Sequence, residues 1–511
     1  MGGRSPPNPV ETLAENALMN SKLLILLALA GSFTFACADG SKDGDTDVSD
    51  TDTNDTVDTN DTDTVDTNDT DINDTDVVDT YPDTDPCTIS GISCDGNNVS
   101  LTGTITESFT MTPDKNWILK GGVFIGDDVH ETILAIRPGT SVFGDGATDG
   151  FLVIQRSSKL IADGTKAAPI LFTSAQLDGS RGPSDWGGLV INGRAPSNSC
   201  ASPSECNIPG EAATGTYGGQ DSHDSSGILR YVRVEFAGTL INTTNELNGI
   251  AFQGVGDGTV VDYVQTHQTA DDGIEFFGGT VNAKHLVITG AQDDGFDYTD
   301  GFSGKVQYVV VQAFNTAADR GIEGDNNKNN NEATPRSNPT LQNFTLIAAQ
   351  NGGTPLSTAG LLLREGTWGK FNKFAVQGYG ASCLDLDKAS TFTNAWDAGT
   401  SALNGSLAVS NSYFYCPAIS ATPFPADADD GSQFTVDDFV RTLNDGNVVG
   451  TDPKITAAYN ETAPNYKPAS GSPLLNKPGN DLSDPLIDAT NFIGAIGADD
   501  WTAGWTTHAA N

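Results

Sequence analysis

Two short segments of the chain repeat one pattern: TADDGIEFFGG at residues 269–279 and AQDDGFDYTDG at residues 291–301. In each, two aspartates precede a glycine, which is followed by an apolar residue, a carboxylate and an aromatic residue. Related glycine-apolar segments are GLVI, GIAF, GIEG and GLLL, which begin at Gly188, Gly249, Gly321 and Gly360. From Gly249 onward the glycines are separated by 24, 22, 26 and 39 residues, so the chain contains an internal repeat.

A second series of strand-like segments alternates with the first. Its members are LRYVRV, VDYVQT, AKHLVI, VQYVVV, LQNFTL and FNKFAV, which begin at residues 229, 261, 283, 306, 341 and 371. Closely spaced apolar runs and glycine bends, without helical periodicity, predict short strands. When coils with two or three such strands stack, equivalent strands pair in parallel and their apolar positions fill the bore. We therefore predict an all-β fold, a right-handed parallel β-helix, with loop insertions at 194–226 and 324–339.

The negative charge of the chain is concentrated ahead of this repeat. The net charge is −41, and the segment from Asp39 to Pro86 contains 18 Asp and one Lys. This segment has almost no apolar residues to bury, and its like charges repel one another. We predict a disordered acidic linker over residues 37–86, followed by the β-helix domain over residues 87–511. So acidic a chain disfavours nucleic acid and anionic membrane surfaces as partners.

The N-terminal region has the features of an export signal. Met19 is followed by a lysine and by an apolar run from Leu23 to Ala36 that is too short to span a bilayer. We predict a signal peptide region over residues 1–36, with Met19 as the true start. The sequence ending in Ala36-Cys37 resembles a bacterial lipobox, which would make Cys37 the lipidated first residue; an ordinary cleavable signal is the alternative. The predicted location is the cell surface, anchored in the outer membrane only through the lipid, and a secreted or periplasmic protein is the alternative.

Six further cysteines agree with export. Cys87 and Cys94 are close in sequence, and so are Cys200 and Cys206. Cys383 and Cys416 are about one repeat apart. Three disulfides in an oxidising compartment are the simplest interpretation, although spacing alone leaves the pairing open. A zinc site is the alternative, but histidines at ligand spacing do not accompany these cysteines.

Several longer segments resemble a known family. These are SKLIADGTKAAPILFTSAQ, SDWGGLVINGRAP, GILRYVRVEFAG, GGTVNAKHLVI, DDGFDYTDGFSGKVQ and DDWTAGWT. They are similar to a family of exported and lipid-anchored proteins of Gram-negative bacteria, over nearly all of residues 95–511. The resemblance implies a pectin-lyase-like right-handed β-helix and no settled activity. Related β-helix enzymes cleave polysaccharides, but a shared fold does not establish a shared function.

The repeated acids form the candidate site. Alternation along the strands predicts that Glu275, Asp297 and Glu323 point outward and stack into one surface column. Neighbouring residues of this column are expected to be about 4.8 Å apart, the spacing of paired strands. The candidate metal ligands are Glu275, Asp293, Asp294, Asp297 and Glu323, and a hard cation such as calcium is the cofactor they suit. The candidate catalytic residues are Asp271, Asp272, Asp294 and Arg320, because paired carboxylates suit glycoside cleavage. The alternative is structural: the acids cap bends and lie on an acidic surface.

An aromatic column is the second candidate site. Tyr231, Tyr263, His285 and Tyr308 occupy equivalent positions in successive repeats. If they face solvent, they form a flat strip on which a sugar chain could stack. If they do not, they are a packed ladder at a corner of the coil.

These observations support three hypotheses. The first is a cell-surface β-helix scaffold that binds an extended glycan or another envelope component, such as an envelope protein, with calcium ordering the acids and without an organic cofactor. The second is a polysaccharide lyase or glycoside hydrolase that uses the same acids. The third is a purely structural or adhesion protein.

Overall fold

A single sheet of 26 strands winds around an apolar bore. The computed structural model describes residues 81–511, apart from residues 203–205, 243–244 and 315–317. The pairs between successive coils are parallel, and an antiparallel pair, Ile92–Asp95 with Asn98–Ile105, opens the domain. The prediction of a parallel β-helix is confirmed. The predicted signal region, Cys37 and nearly all of the acidic linker lie outside the described residues.

The strands of the N-terminal coils precede the first long loop insertion. They are β1 (Ile92–Asp95), β2 (Asn98–Ile105), β3 (Phe109–Met111), β4 (Asn116–Ile125), β5 (Ile133–Ile136), β6 (Ser141–Gly144), β7 (Phe151–Ile154), β8 (Lys159–Asp163) and β9 (Ile170–Ser174). The central coils contain β10 (Gly188–Asn192), β11 (Ile208–Pro209), β12 (Thr216–Tyr217), β13 (Gly227–Glu235), β14 (Leu240–Asn242), β15 (Asn245–Glu246), β16 (Ile250–Gln253), β17 (Val260–His267), β18 (Ile274–Phe277), β19 (Asn282–Thr289), β20 (Phe296–Thr299), β21 (Lys305–Gln312), β22 (Arg320–Asp325) and β23 (Thr340–Ile347).

The C-terminal coils carry the α-helices described for this chain. Their elements are β24 (Gln350–Asn351), β25 (Thr354–Pro355), β26 (Ala359–Arg364), β27 (Gly369–Asn372), β28 (Ala375–Gln377), β29 (Asp385–Leu386), α1 (Ala389–Ala395), β30 (Trp396–Asp397), β31 (Ala402–Leu403), β32 (Leu407–Ser410), β33 (Tyr413–Tyr415), α2 (Val436–Asp438), β34 (Val448–Val449), β35 (Ile455–Ala457) and β36 (Asn465–Pro468). Within the described residues, none of the helices is both long enough and apolar enough to cross a membrane.

Each central coil has three faces. The first face consists of β16, β18, β20, β22 and β26, in which the glycine-apolar segments are paired in register. The first halves of β17, β19, β21 and β23 form the second face, and their second halves form the third. The register is the one that the two repeat series predict: Ile274 pairs with Phe296, and Val261 pairs with Ala283.

One residue in each long strand makes the corner between the second and third faces. Tyr231, Tyr263, His285, Tyr308 and Asn343 occupy this place and have φ values of 49°, 55°, 54°, 64° and 60°. This left-handed conformation costs a residue with a side chain roughly 1–2 kcal/mol. It persists in successive coils because the strands on either side are fixed by pairing with their neighbours.

The bore is filled by apolar side chains that stack on their equivalents in adjacent coils. The ring of Phe276 lies 5.1 Å from Phe252, 5.1 Å from Phe296 and 4.6 Å from Phe302, measured between centroids. All four side chains are fully buried. Burial of aromatic rings and their contacts with one another stabilise the stack of coils.

Three disulfides reinforce the domain. They join Cys87 to Cys94, Cys200 to Cys206 and Cys383 to Cys416. The first joins the turn that precedes β1 to β1 itself, the second closes part of the insertion after β10, and the third links two successive coils. The disulfide interpretation of the six cysteines is therefore correct.

The C-terminal segment, residues 481–510, lies along the corner of the coils, and from Gly494 onward it runs back towards the N-terminal coils. The amide of Gly494 donates to the carbonyl of Lys373, whereas Trp505 contacts Tyr231, many coils nearer the N-terminus. Near its end, the carbonyl of Ala509 is 2.7 Å from Nε2 of His267. This segment thus covers the corner column along several coils.

Shortening one ring of the bore tests this packing. Phe276→Ala should lower the free energy of unfolding by about 3–5 kcal/mol, because the buried stack cannot collapse around the cavity. Leu177→Ala is the control, since Leu177 is exposed and should change stability by less than about 0.5 kcal/mol. Urea denaturation followed by far-ultraviolet circular dichroism measures both, and equal effects would contradict the packing described.

Candidate functional site

The candidate site is an acidic cluster at the bend before the first face and on the first face itself. It consists of eight carboxylates from three successive coils: Asp271, Asp272, Glu275, Asp293, Asp294, Asp297, Asp319 and Glu323. The bend supplies the two aspartate pairs and Asp319, and β18, β20 and β22 supply Glu275, Asp297 and Glu323. The structure therefore brings together all the predicted metal ligands and all four predicted catalytic residues.

Glu275, Asp297 and Glu323 stack as an outer column on the first face. Glu275 pairs with Asp297, and Asp297 pairs with Glu323, in adjacent strands. The positions before and after them in the column are Ala251 and Leu362. Strand pairing explains why these positions form a column. It does not explain why three of them are acidic, since the positions on either side of the three acids are apolar.

Glu275 and Glu323 are buried and Asp297 between them is half-buried, which corrects the prediction that the column lies on the surface. Glu275 is only 8 % exposed, and Glu323 is 7 % exposed. The side chains do point away from the bore, but other segments pack over the face: Tyr217 of β12 and Leu247 form a buried apolar cluster with Ala251 there. The insertion after β10 and the segment before β16 therefore shield the start of the column from solvent.

Two of the bend aspartates bind the backbone of the next coil. The Asp272 carboxylate accepts from the amide of Asp294 at 2.8 Å, and the Asp294 carboxylate accepts from the amide of Arg320 at 2.9 Å. Both side chains are buried. Asp272 and Asp294 thus have a structural role at the bend, whatever else they do.

Two arginines offset part of the negative charge. Nη1 of Arg320 lies 3.2 Å from Asp294, 3.0 Å from Asp319 and 2.8 Å from Glu323. Arg364, which the sequence analysis missed, pairs with Glu323 and with Asp325, the latter at 2.8 Å. Two guanidinium groups cannot balance nine neighbouring carboxylates, so charge remains for protons or another cation to compensate.

Burial and the remaining negative charge raise the pKa values of the acids. Burial, followed by the Glu246 and Asp293 carboxylates, raises the pKa of Asp271 to about 7. Partial burial and the carboxylates of Asp294 and Asp319 raise the pKa of Asp293 to about 6. Burial also raises the pKa of the Glu275 and Asp297 carboxyl groups well above their usual range; the Asp297 carboxylate adds to the effect on Glu275, and the Asp294 carboxylate adds to the effect on Asp297.

The oxygen atoms of the cluster suit a hard cation. Four sets of three acids bring one carboxylate oxygen each within 4.8 Å of one another, and two of these sets include Asp297. Asp297 Oδ1 is buried and lacks a hydrogen-bond partner among the described residues. Several carboxylates at this separation, with an unsatisfied oxygen among them, fit the all-oxygen coordination that calcium prefers.

The segments over the column add groups that the sequence analysis missed. Asn248 is buried and donates through Nδ2 to Glu275 at 2.6 Å. Burial, then the charge of Asp271, raises the pKa of Glu211 to about 8. Both residues come from segments outside the two repeat series, so the repeat gave no signal that they reach the site.

The aromatic column is a packed ladder. Successive ring centroids of Tyr231, Tyr263, His285 and Tyr308 are 4.5, 4.2 and 4.9 Å apart, and the rings are nearly parallel. Neighbouring rings therefore cover the faces of Tyr263 and His285. Trp501 and Trp505 of the C-terminal segment pack edge-on against the ladder. A sugar ring would find no free ring face on Tyr263 and His285, which favours a packed ladder at the corner over a strip that binds a sugar chain.

The family to which the chain belongs agrees with this architecture. The model of the pectate-lyase-like β-helix domain matches residues 103–506, and the chain is thus a member of that family. Searches of the curated proteins and of the solved structures find no significant match to the chain.

The raised pKa values predict how stability depends on pH. A carboxyl group whose pKa is higher in the folded state holds its proton to higher pH than in the unfolded chain, so stability falls as pH rises from about 4 to about 7. In a chelating buffer, Tm should therefore be higher at pH 5 than at pH 8. Asp271→Asn should reduce this difference, whereas Asp95→Asn, at an exposed site outside the cluster, should leave it unchanged. A Tm that rises between pH 5 and pH 8 would contradict the prediction.

Proposed function

We propose that the protein is a cell-surface lipoprotein whose β-helix is a scaffold for binding an extended glycan or another envelope component. The family assignment supports a carbohydrate-related role. The observation that carries the proposal is the acidic cluster, which extends across three coils and contains a buried oxygen of Asp297 that has no hydrogen-bond partner in the part of the chain that the structure describes. In this proposal, calcium bound in the cluster completes the binding surface.

One edge of the cluster is the most open to a ligand. Asp293 is exposed, and Asp271, Asp297 and Asp319 are half-buried, whereas the other four acids are buried. Asp271, Asp293 and Asp319 recur once per coil along this edge, at the strand spacing of about 4.8 Å. A polymer lying along the axis would meet an equivalent carboxylate in each coil, and a calcium ion there could bridge these carboxylates to hydroxyl or carboxyl oxygens of the polymer.

Calcium would also reduce the electrostatic repulsion between the carboxylates of the cluster. Two unit charges about 4 Å apart repel by roughly 1 kcal/mol in water and by more where solvent is excluded. Arg320 and Arg364 compensate only part of this repulsion. A divalent ion would lower the pKa of the acids that bind it, so its affinity should rise with pH as their protons are released.

The N-terminal region would present the domain to such a ligand. A lipid on Cys37 would anchor the chain, and the linker that follows would extend because its aspartates repel one another. Fully extended, this linker could reach on the order of 160 Å. The lipid anchor and the surface location are part of the proposal.

Calcium binding should be visible as a gain in stability. At a free concentration about 100-fold above its dissociation constant, calcium should stabilise the fold by about 2.7 kcal/mol, and EGTA should reverse the resulting rise in Tm. The double variant Asp294→Asn/Asp297→Asn should lose most of this response. Asp95→Asn/Asp499→Asn, which removes the same charge from exposed sites, should keep it. Equal calcium responses in the two double variants would rule out the cluster as the calcium site.

Polysaccharide cleavage is a second candidate function. It is favoured by Asp271 and Asp293, which are at least partly accessible and have pKa values of about 7 and 6, suited to general acid–base work near neutral pH. Arg320 is not suited to act as a base. Burial lowers the pKa of its guanidinium group, but the Asp294 and Asp319 carboxylates outweigh that effect and raise it.

Product analysis separates the two functions. The full chain, incubated with calcium and with polygalacturonate, alginate or xylan, should yield neither new reducing ends nor unsaturated uronates if it is a binding scaffold. Cleavage products that fall at least about 100-fold with Asp271→Asn, in protein that remains folded, would establish the enzymatic function instead. Unsaturated ends would then identify a lyase, and saturated ends a hydrolase.

A further inference from the structure

A cleft lies further along the same side of the β-helix, beyond the acidic cluster. It has a volume of about 800 Å³, which is within the range of small-ligand sites. Its walls are the hairpin of β24 and β25, the third face at β28 and β33, and the hairpin that begins at β35. We call it the Tyr459 cleft.

Two tyrosines and the side-chain amides of Gln350, Gln377 and Asn460 are among the residues that line the cleft. Gln377 and Tyr415 are paired in adjacent strands, and Tyr459 faces them from the β35 hairpin with 42 % of its surface exposed. The Tyr459 hydroxyl and the side-chain amide of Gln350 both lie beside Gly378. Because these two groups come from separate hairpins, the hairpins meet at the mouth of the cleft.

The backbone at Gly378 leaves room for this arrangement. A Cβ atom there would lie 2.6 Å from the Tyr459 hydroxyl and 2.8 Å from Nε2 of Gln350. Gly378 also has a φ of 89°, a conformation that side chains disfavour. Any other residue at this position would push Tyr459 away from Gln350.

The lining is chemically suited to an uncharged sugar. Aromatic rings offer an apolar surface to the C–H face of a sugar ring, and side-chain amides both donate and accept hydrogen bonds with hydroxyl groups. One acid and one base, Asp452 and Lys454, line the cleft, so its charges balance. The acidic cluster, in contrast, favours a cation.

The cleft and the cluster lie along one line of the surface. Asp319, at the edge of the cluster, accepts a hydrogen bond from Thr358, which follows the β24–β25 hairpin directly. Tyr379, next to Gly378, is fully buried, and its hydroxyl lies beside Gly321 of β22, where a Cβ atom would come within 2.4 Å of it. One polymer lying along the axis could therefore reach both regions.

We propose that the Tyr459 cleft is a binding site for a neutral oligosaccharide, with Tyr459 and Tyr415 as aromatic contacts and Gln350 and Gln377 as hydroxyl partners. The site needs neither calcium nor the acidic cluster. It goes beyond the proposed function, and it stands even if the cluster binds no ligand.

Titration calorimetry of the full chain in EGTA tests the proposal. Cellohexaose, laminarihexaose, xylohexaose and mannohexaose, each at up to about 5 mM, are the probes, and at least one should bind with a millimolar or lower dissociation constant. Tyr459→Ala should weaken that binding at least about tenfold. Leu356→Ala, at a similarly exposed residue of the neighbouring hairpin, should leave it unchanged.

Two further variants separate this site from the acidic cluster. Gln350→Ala, on a different hairpin from Tyr459, should also weaken binding and provides the test if Tyr459→Ala fails to fold. Asp294→Asn/Asp297→Asn should bind the oligosaccharide like the unaltered protein, although it loses its calcium response. The proposal is overturned if none of the four probes binds, or if binding survives Tyr459→Ala and Gln350→Ala but disappears in the double aspartate variant.

Discussion

Parallel pairing between successive coils is the constraint on which the rest of this structure depends. It places every residue about 4.8 Å from its equivalent in the next coil, so each position becomes a column of side chains. Columns of like residues stabilise the fold when the residues are aromatic, as at Phe252, Phe276 and Phe296. The same spacing makes a column of carboxylates costly. Glu275, Asp297 and Glu323 therefore need protons, arginines or a metal ion, which a single carboxylate on a bend would not.

The corner ladder shows how such columns offset local strain. The left-handed conformation at Tyr231, Tyr263 and His285 is unfavourable for each residue taken alone. It also directs the three rings into one stack, and each ring contact contributes about 0.5–1.5 kcal/mol beyond burial. Trp501 and Trp505 then shield the stack from the side. The residues that bear the backbone strain are thus the same residues that stack, so the ladder has a structural role in the fold.

The sequence predicted the columns well and their surroundings poorly. Alternating apolar residues and regular glycines determine which residues pair, and the predicted matches of Glu275 with Asp297 and Asp297 with Glu323 are correct. Exposure could not be predicted in this way, because the covering groups come from segments without the repeat. Asn248 and Tyr217 reach the column from such segments. Trp501 covers the ladder from more than 200 residues away, and neither periodicity nor local composition signals a contact of that kind.

Burial divides the acidic cluster into two parts with different chemistry. Glu275 is held by Asn248, and Glu323 is paired with Arg320 and Arg364, so protein groups already satisfy much of the inner column. Asp293 remains open to solvent, and its pKa is near 6. Since a ligand can approach this edge most directly, proton or cation exchange there changes the surface that the ligand meets. The inner acids contribute to the electrostatic potential at the edge. The exposed carboxylates of the edge are the groups that would bind a metal ion, a proton or a glycan there.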